Sequence, residues 1–117
     1  MLVSGGGRFF GRPDPTDQPS LEVYSPPYLF RGSRPSITSA PATAGYNTSV
    51  SVQSPDAARI ASVVLIRPGT VTHSFNREQR FVPLTFTRSG STLSVHTPTD
   101  NTVAIPGTYM LFLVDSS

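Results

Sequence analysis

"RIASVVLIRPGTVTHSFNREQRFVPLTFTRSG", residues 59–90, carries the fold: two apolar runs stand on either side of a polar centre. The first, Ile60 to Ile66, is nearly unbroken in its apolar character and stops at Pro68-Gly69, which reads as a central strand buried on both faces. The second alternates Phe81, then Leu84 and Phe86 after Pro83, and closes at Ser89-Gly90. The polar stretch between them, Thr72 to Arg80, is the connection of a β-hairpin. That plain reading leaves its histidine, His73, idle; a sharper one makes the stretch a projecting loop that carries His73 as a ligand, with Asn76, Gln79 and Arg80 behind it as supports. No segment of a dozen residues shows a 3.6-residue apolar repeat, so the chain is all-β.

Outward from this hairpin the same period continues. "NTSVSVQS" alternates through Val50 and Val52, "STLSVHTPTD" through Leu93 and Val95, and "GTYMLFLVDSS" is a dense apolar run. A further short strand is expected around Ser36 to Ser39. Turn signals every 8 to 12 residues predict an immunoglobulin-like β-sandwich. Six strands are counted from Arg34 onward, one fewer than a seven-stranded sandwich needs, so the last strand is expected to be lacking. An exposed sheet edge would follow, open to a homodimer or to the chain's own N-terminal strand.

The N-terminal part differs in character. "MLVS" is strand-like, runs into three glycines and has nothing before it to pair. Residues 5–19 are loop by composition, and "SLEVYSPPYLF" gives one short strand stopped at Pro26-Pro27. The division expected is residues 1–30 and residues 31–117.

Composition excludes several functions. Without cysteine the chain offers no disulfide framework and no thiolate metal site. All nine basic residues are arginines scattered from Arg8 to Arg88, whereas a nucleic-acid surface clusters its cations to neutralise several phosphates together. No run approaches the roughly 20 apolar residues of a membrane span, and the N-terminus lacks the charged start and apolar core of a signal peptide. No carboxylate pair and no nucleophile–base–acid set is placed for catalysis. Asn47-Thr48-Ser49 has the form of a glycosylation acceptor. His96 falls on the polar side of its strand, and Tyr24, Tyr28, Tyr46 and Tyr109 read as packing residues. From spacing alone His73 is a surface turn histidine, since one histidine does not make a metal site.

Three blocks carry a more specific message: "SPPYLFRGSRPSI", "VVLIRPGTVTHSFNREQRFVPL" and "AIPGTYMLFLVDSS". Together they resemble the C-terminal domain of the galactose oxidase and glyoxal oxidase family, the copper-radical oxidases. The resemblance spans nearly all of residues 20–117, and "LVSGGG" resembles the end of that family's propeller. It implies an early-set type of immunoglobulin-like sandwich after a remnant of a kelch-type propeller strand. It further implies that His73 is a copper ligand, carried on a long hairpin through the propeller's channel, with Asn76, Gln79 and Arg80 as hairpin supports. Imidazole nitrogen suits Cu(II). The parent implied is a secreted oxidase of primary alcohols or aldehydes that reduces O2 to peroxide. Its other ligands, a second histidine and two tyrosines, one of them cross-linked to cysteine, precede the matched region, so this chain alone is expected to be inactive. The competing reading is a non-catalytic sandwich that binds carbohydrate or protein, with His73 incidental.

Overall fold

The computed structural model describes residues 2–4 and 20–116. They form two compact units, Met1–Ser33 and Arg34–Ser117. Residues 5–19, read as loop from composition, lie outside the described residues.

In the first unit, strand β1 (Leu2–Ser4) pairs antiparallel with β2 (Leu21–Val23), with Leu2 opposite Val23. The strand read as having nothing before it to pair thus finds its partner later in the chain. A 3-10 turn, Pro27–Phe30, follows; Pro26 is extended, as a residue preceding proline must be, and its carbonyl accepts the Leu29 amide.

The second unit is built from β3 (Ser49–Gln53), β4 (Ile60–Arg67), β5 (Thr70–Thr72), β6 (Phe75–Arg77), β7 (Arg80–Leu84), β8 (Phe86–Ser89), β9 (Thr92–His96) and β10 (Met110–Asp115). One sheet has the order β10-β4-β7 and the other β3-β9-β8, with every pairing antiparallel. No α-helix occurs among the described residues. This is the expected immunoglobulin-like sandwich, and β4 is central in its sheet, as its continuous apolar run predicts.

Two expectations are corrected. "RFVPLTFTRS" is not one strand: it breaks at Thr85, β7 joining β4 in the first sheet and β8 joining β9 in the second. The Thr85 carbonyl at the break accepts the His96 amide. Period-2 reading misses the break because Leu84 and Phe86, on either side of it, both pack against the same core. Residues 36–39 form no strand. They are held by an isolated bridge, Ser39 opposite Gln53, and by Asp56, whose carboxylate accepts the Ser36 amide (2.9 Å) and hydroxyl (3.2 Å). Pro35 and Pro41, which offer no amide to a ladder, bracket this piece.

The core lies between the sheets. Val52, Leu93 and Val95 from one sheet meet Ile60 and Val63 from the other, all essentially inaccessible, with Leu84, Phe86, Leu111 and Leu113 packed around them. The two polar side chains buried among the described residues are satisfied. The Thr97 hydroxyl donates to the Thr48 carbonyl (2.9 Å) and accepts the Thr48 amide (2.9 Å), and the Ser54 hydroxyl accepts the Asp56 amide (3.1 Å).

The outward faces differ. On β3, β8 and β9 the outward residues are polar, among them Ser49, Ser51, Ser94 and His96. On the β10-β4-β7 sheet the register puts Met110, Phe112 and Val114 on one face with Ile66 and Phe81, and all but Ile66 of these are exposed.

Candidate functional site: a projecting hairpin arm

Strands β4 and β7 do not end their pairing at the sheet. Partners keep one offset from Val63 opposite Leu84, through Arg67 opposite Arg80, to Thr70 opposite Arg77 and Thr72 opposite Phe75. The ladder is interrupted at residues 68–69 and 78–79 and then resumes as β5 and β6. The interruption has local causes: Pro68 has no amide to donate, and Glu78 has a left-handed backbone (φ 63°). Beyond Arg67 the arm runs five residues to Thr72, about 17 Å at the usual strand rise.

Nearly every side chain of the arm is exposed, including two large apolar ones, Val71 at 71% and Phe75 at 69%. The tip is His73-Ser74, both left-handed (φ 51° and 64°). Two consecutive residues in that region make a two-residue turn of the primed kind, whose twist suits a hairpin and whose usual occupants are Asn-Gly. Histidine and serine occupy this turn despite the clash that a Cβ meets there.

At the tip the His73 Nδ1 lies 2.6 Å from the Thr72 hydroxyl. If Nδ1–H donates to that oxygen, the tautomer leaves the Nε2 lone pair free. His73 is exposed, and among the described residues no group of three or more His, Cys, Asp or Glu side chains gathers to hold a metal. An imidazole nitrogen is a donor of the kind that suits copper, and at the tip it stands as a single such donor among the described residues.

The base of the arm is fastened to the loop of residues 100–107. Arg80 donates through Nη1 to the carbonyls of Thr102 (3.2 Å) and Val103 (3.0 Å). Arg67, directly opposite, donates through Nη1 to the carbonyl of Pro106 (3.0 Å) and through Nη2 to Glu78 Oε2 (2.8 Å), and its guanidinium lies 5.9 Å from the Tyr109 ring centroid. The hydrogen bond with Glu78 holds Arg67 more firmly protonated than an ordinary arginine. Tyr46 and Tyr109 secure the same loop from within, donating to the carbonyls of Ala104 (2.5 Å) and Ile105 (2.9 Å). Among the expected supports Arg80 is therefore engaged at the arm's base, while Asn76 and Gln79 are exposed and figure in no side-chain hydrogen bond among the described residues. Sequence reading missed Thr72 and Arg67. Thr72 adjoins His73 in sequence, but only the turn geometry brings its hydroxyl to the ring; Arg67 makes its contacts 38 and 39 residues away.

Beside the arm's base, the inner faces of the two sheets part to leave a cavity of about 400 Å³, lined by Tyr46, Val50, Leu65, Leu84, Val95 and Leu111 among others. Both tyrosine hydroxyls that border it are bonded to backbone, so it offers little to orient a polar ligand.

Residues 34–117 match the family model described as galactose oxidase-like, early set domain. The chain belongs to that family. It is 34% identical over 125 residues to a galactose oxidase of Gibberella zeae, covering 99% of this chain and 18% of that protein, and equally so to a galactose oxidase from a second Gibberella zeae sequence. Among solved structures it is similar to a fungal alcohol oxidase of the AA5 family in complex with copper, at a TM-score of 0.74 and 32% identity, over 86% of this chain and 22% of that one. This galactose oxidase-like chain thus spans about a fifth of the length of the relatives it matches.

Proposed function

We propose that this chain is the part of a copper-radical oxidase that delivers one histidine ligand, His73, to a copper ion whose remaining ligands belong to the rest of the parent protein. The observation that carries the reading is the arm itself: a ladder in unbroken register, extended beyond its sheet and ended by an exposed imidazole. Copper held there would supply one-electron exchange with O2 and with an alcohol or aldehyde substrate. The chain's own residues have narrower tasks: His73 offers Nε2, Thr72 fixes its tautomer, and Asn76, Gln79 and Arg80 belong to the arm that carries it.

The exposed apolar surface supports a large partner within the same parent. Phe75 on the arm, with Phe81, Met110, Phe112 and Val114 on the same face of the adjoining sheet, forms a patch of the kind that marks an interaction surface. The opposite sheet shows water a row of serines instead. A propeller domain that receives the arm would cover the apolar side, with residues 1–30 as the end of that propeller and its linker and residues 31–117 as the sandwich. The parent would be secreted.

The test is a chimera in which this chain replaces the matching segment of the Gibberella zeae galactose oxidase. With copper supplied, peroxide production is expected in the chimera, lost in His73→Ala and kept in His96→Ala. As a second measurement, Cu(II) added to the chain alone should give a paramagnetic resonance signal from one imidazole that His73→Ala removes. A chimera equally active with and without His73 would overturn the reading in favour of a binding module.

A further inference from the structure

Arg67 is the last residue of β4 and stands where the arm leaves the sheet. Arg67 and Arg80 face each other across the ladder, a like-charge pairing that destabilises a sheet unless each charge is engaged elsewhere. Each is engaged, and both reach the same loop. Arg80 meets two carbonyls on one side of its fork. Arg67 does something more: Nη1 points into the body at Pro106, while Nη2 holds Glu78, the residue of the interruption that directly follows β6 on the arm side. Its side chain is only 15% exposed. One planar group therefore ties the arm-side end of the joint at residues 68–69 and 78–79 to the body, where the ladder itself has no bonds to resist bending.

The surrounding residues make room for it. Gly107 has φ 153°, and a Cβ placed there would come within 2.7 Å of Arg67 Nη1 and 3.1 Å of its Cζ, so a side chain at 107 would push the guanidinium out of this position. Tyr109 presents its ring to the same group. The Pro106-Gly107-x-Tyr109 block is thus a receptor for Arg67 as well as a turn before β10.

We propose that Arg67 is a positioning residue: through Glu78 and the 105–107 loop it fixes the angle at which the arm leaves the sandwich, and so where His73 is presented. Its consequence for copper rests on the reading of His73 as a ligand; the clamp does not.

The experiment exploits the absence of cysteine. Ser74→Cys at the tip and Ser91→Cys in the turn between β8 and β9, both exposed, take nitroxide labels, and pulsed dipolar spectroscopy on the full chain reads the distance between them. A narrow distribution is expected. Arg67→Ala should lose it while core amide exchange stays unchanged, and Arg67→Lys should not restore it, because a point-like ammonium lacks the planar fork whose two separate nitrogens meet Pro106 and Glu78. Gly107→Ala should have the same effect with Arg67 intact, and it serves in place of Arg67→Ala should that variant fail to fold. A narrow distribution surviving Arg67→Ala or Gly107→Ala, or full rescue by lysine, overturns the proposal. In the chimera Arg67→Ala should lower peroxide production and alter the copper resonance. If the distances broaden but His73→Ala leaves the chimera active, the clamp stands and the copper reading falls.

Discussion

Replacing Ser74 by glycine should make the arm more rigid without adding any contact. A non-glycine residue in the left-handed region bears a cost of about 1–2 kcal/mol, which glycine avoids, less what glycine loses in chain entropy. A net gain of about 1 kcal/mol corresponds to roughly fivefold slower opening, since about 1.4 kcal/mol is tenfold. The assay is amide hydrogen exchange across Thr70–Arg77, set against global denaturation. The two readouts need not agree. The arm has only three cross-strand pairs and is exposed along nearly its whole length, and a two-stranded ribbon is marginal in water. If the arm is open part of the time, stabilising its closed form raises global stability by less than it slows local exchange. The rise in melting temperature should therefore stay below the roughly 4–8 °C that about 1 kcal/mol would give a domain of this size. Ser74→Ala, which keeps the Cβ, should change neither readout. Equal slowing by alanine and glycine, or none by glycine, would refute the argument from backbone geometry.

Other expectations follow from the core and the charges. Leu93→Ala empties a fully buried position between the sheets and should cost about 2–5 kcal/mol in chemical denaturation. Thr97→Val removes the side-chain acceptor of the Thr48 amide, a part-buried bond, and a loss of about 0.5–1.5 kcal/mol is expected by the same method. Asp56 and Asp100 both titrate below the ordinary aspartate value of 3.8, Asp56 chiefly through the Ser36 amide and Asp100 chiefly through the Thr102 hydroxyl. A depressed folded-state pKa gives stability that is present above the unfolded value and lost as pH falls through the folded one. Melting temperature should therefore decline below about pH 4, and Asp56→Asn should make that decline shallower.

Much of the sandwich was legible because β3 and β9 alternate cleanly, with valine or leucine inward and serine outward, and because the β4 run is bounded by Pro68-Gly69. The arm was legible as a projecting connection, and His73 as its histidine. What stayed hidden depends on geometry that no local pattern encodes. The break at Thr85 leaves alternation undisturbed because both sheets face one core. Ser36 to Ser39 has strand composition but is held by Asp56 rather than by a ladder. The Arg67 clamp joins residues nearly forty positions apart, and its sequence trace is only an arginine before Pro-Gly and a glycine before a tyrosine.

The unbroken offset along the arm has a consequence for how such arms change length. Adding one residue to each strand would advance the tip by about 3.3 Å but turn the imidazole to the opposite side, since side chains alternate along a strand. Lengths that keep His73 facing the same way come in steps of two residues per strand, roughly 7 Å. The arm is in effect a ruler with coarse graduations, so finer adjustment of the histidine has to come from the angle at its base.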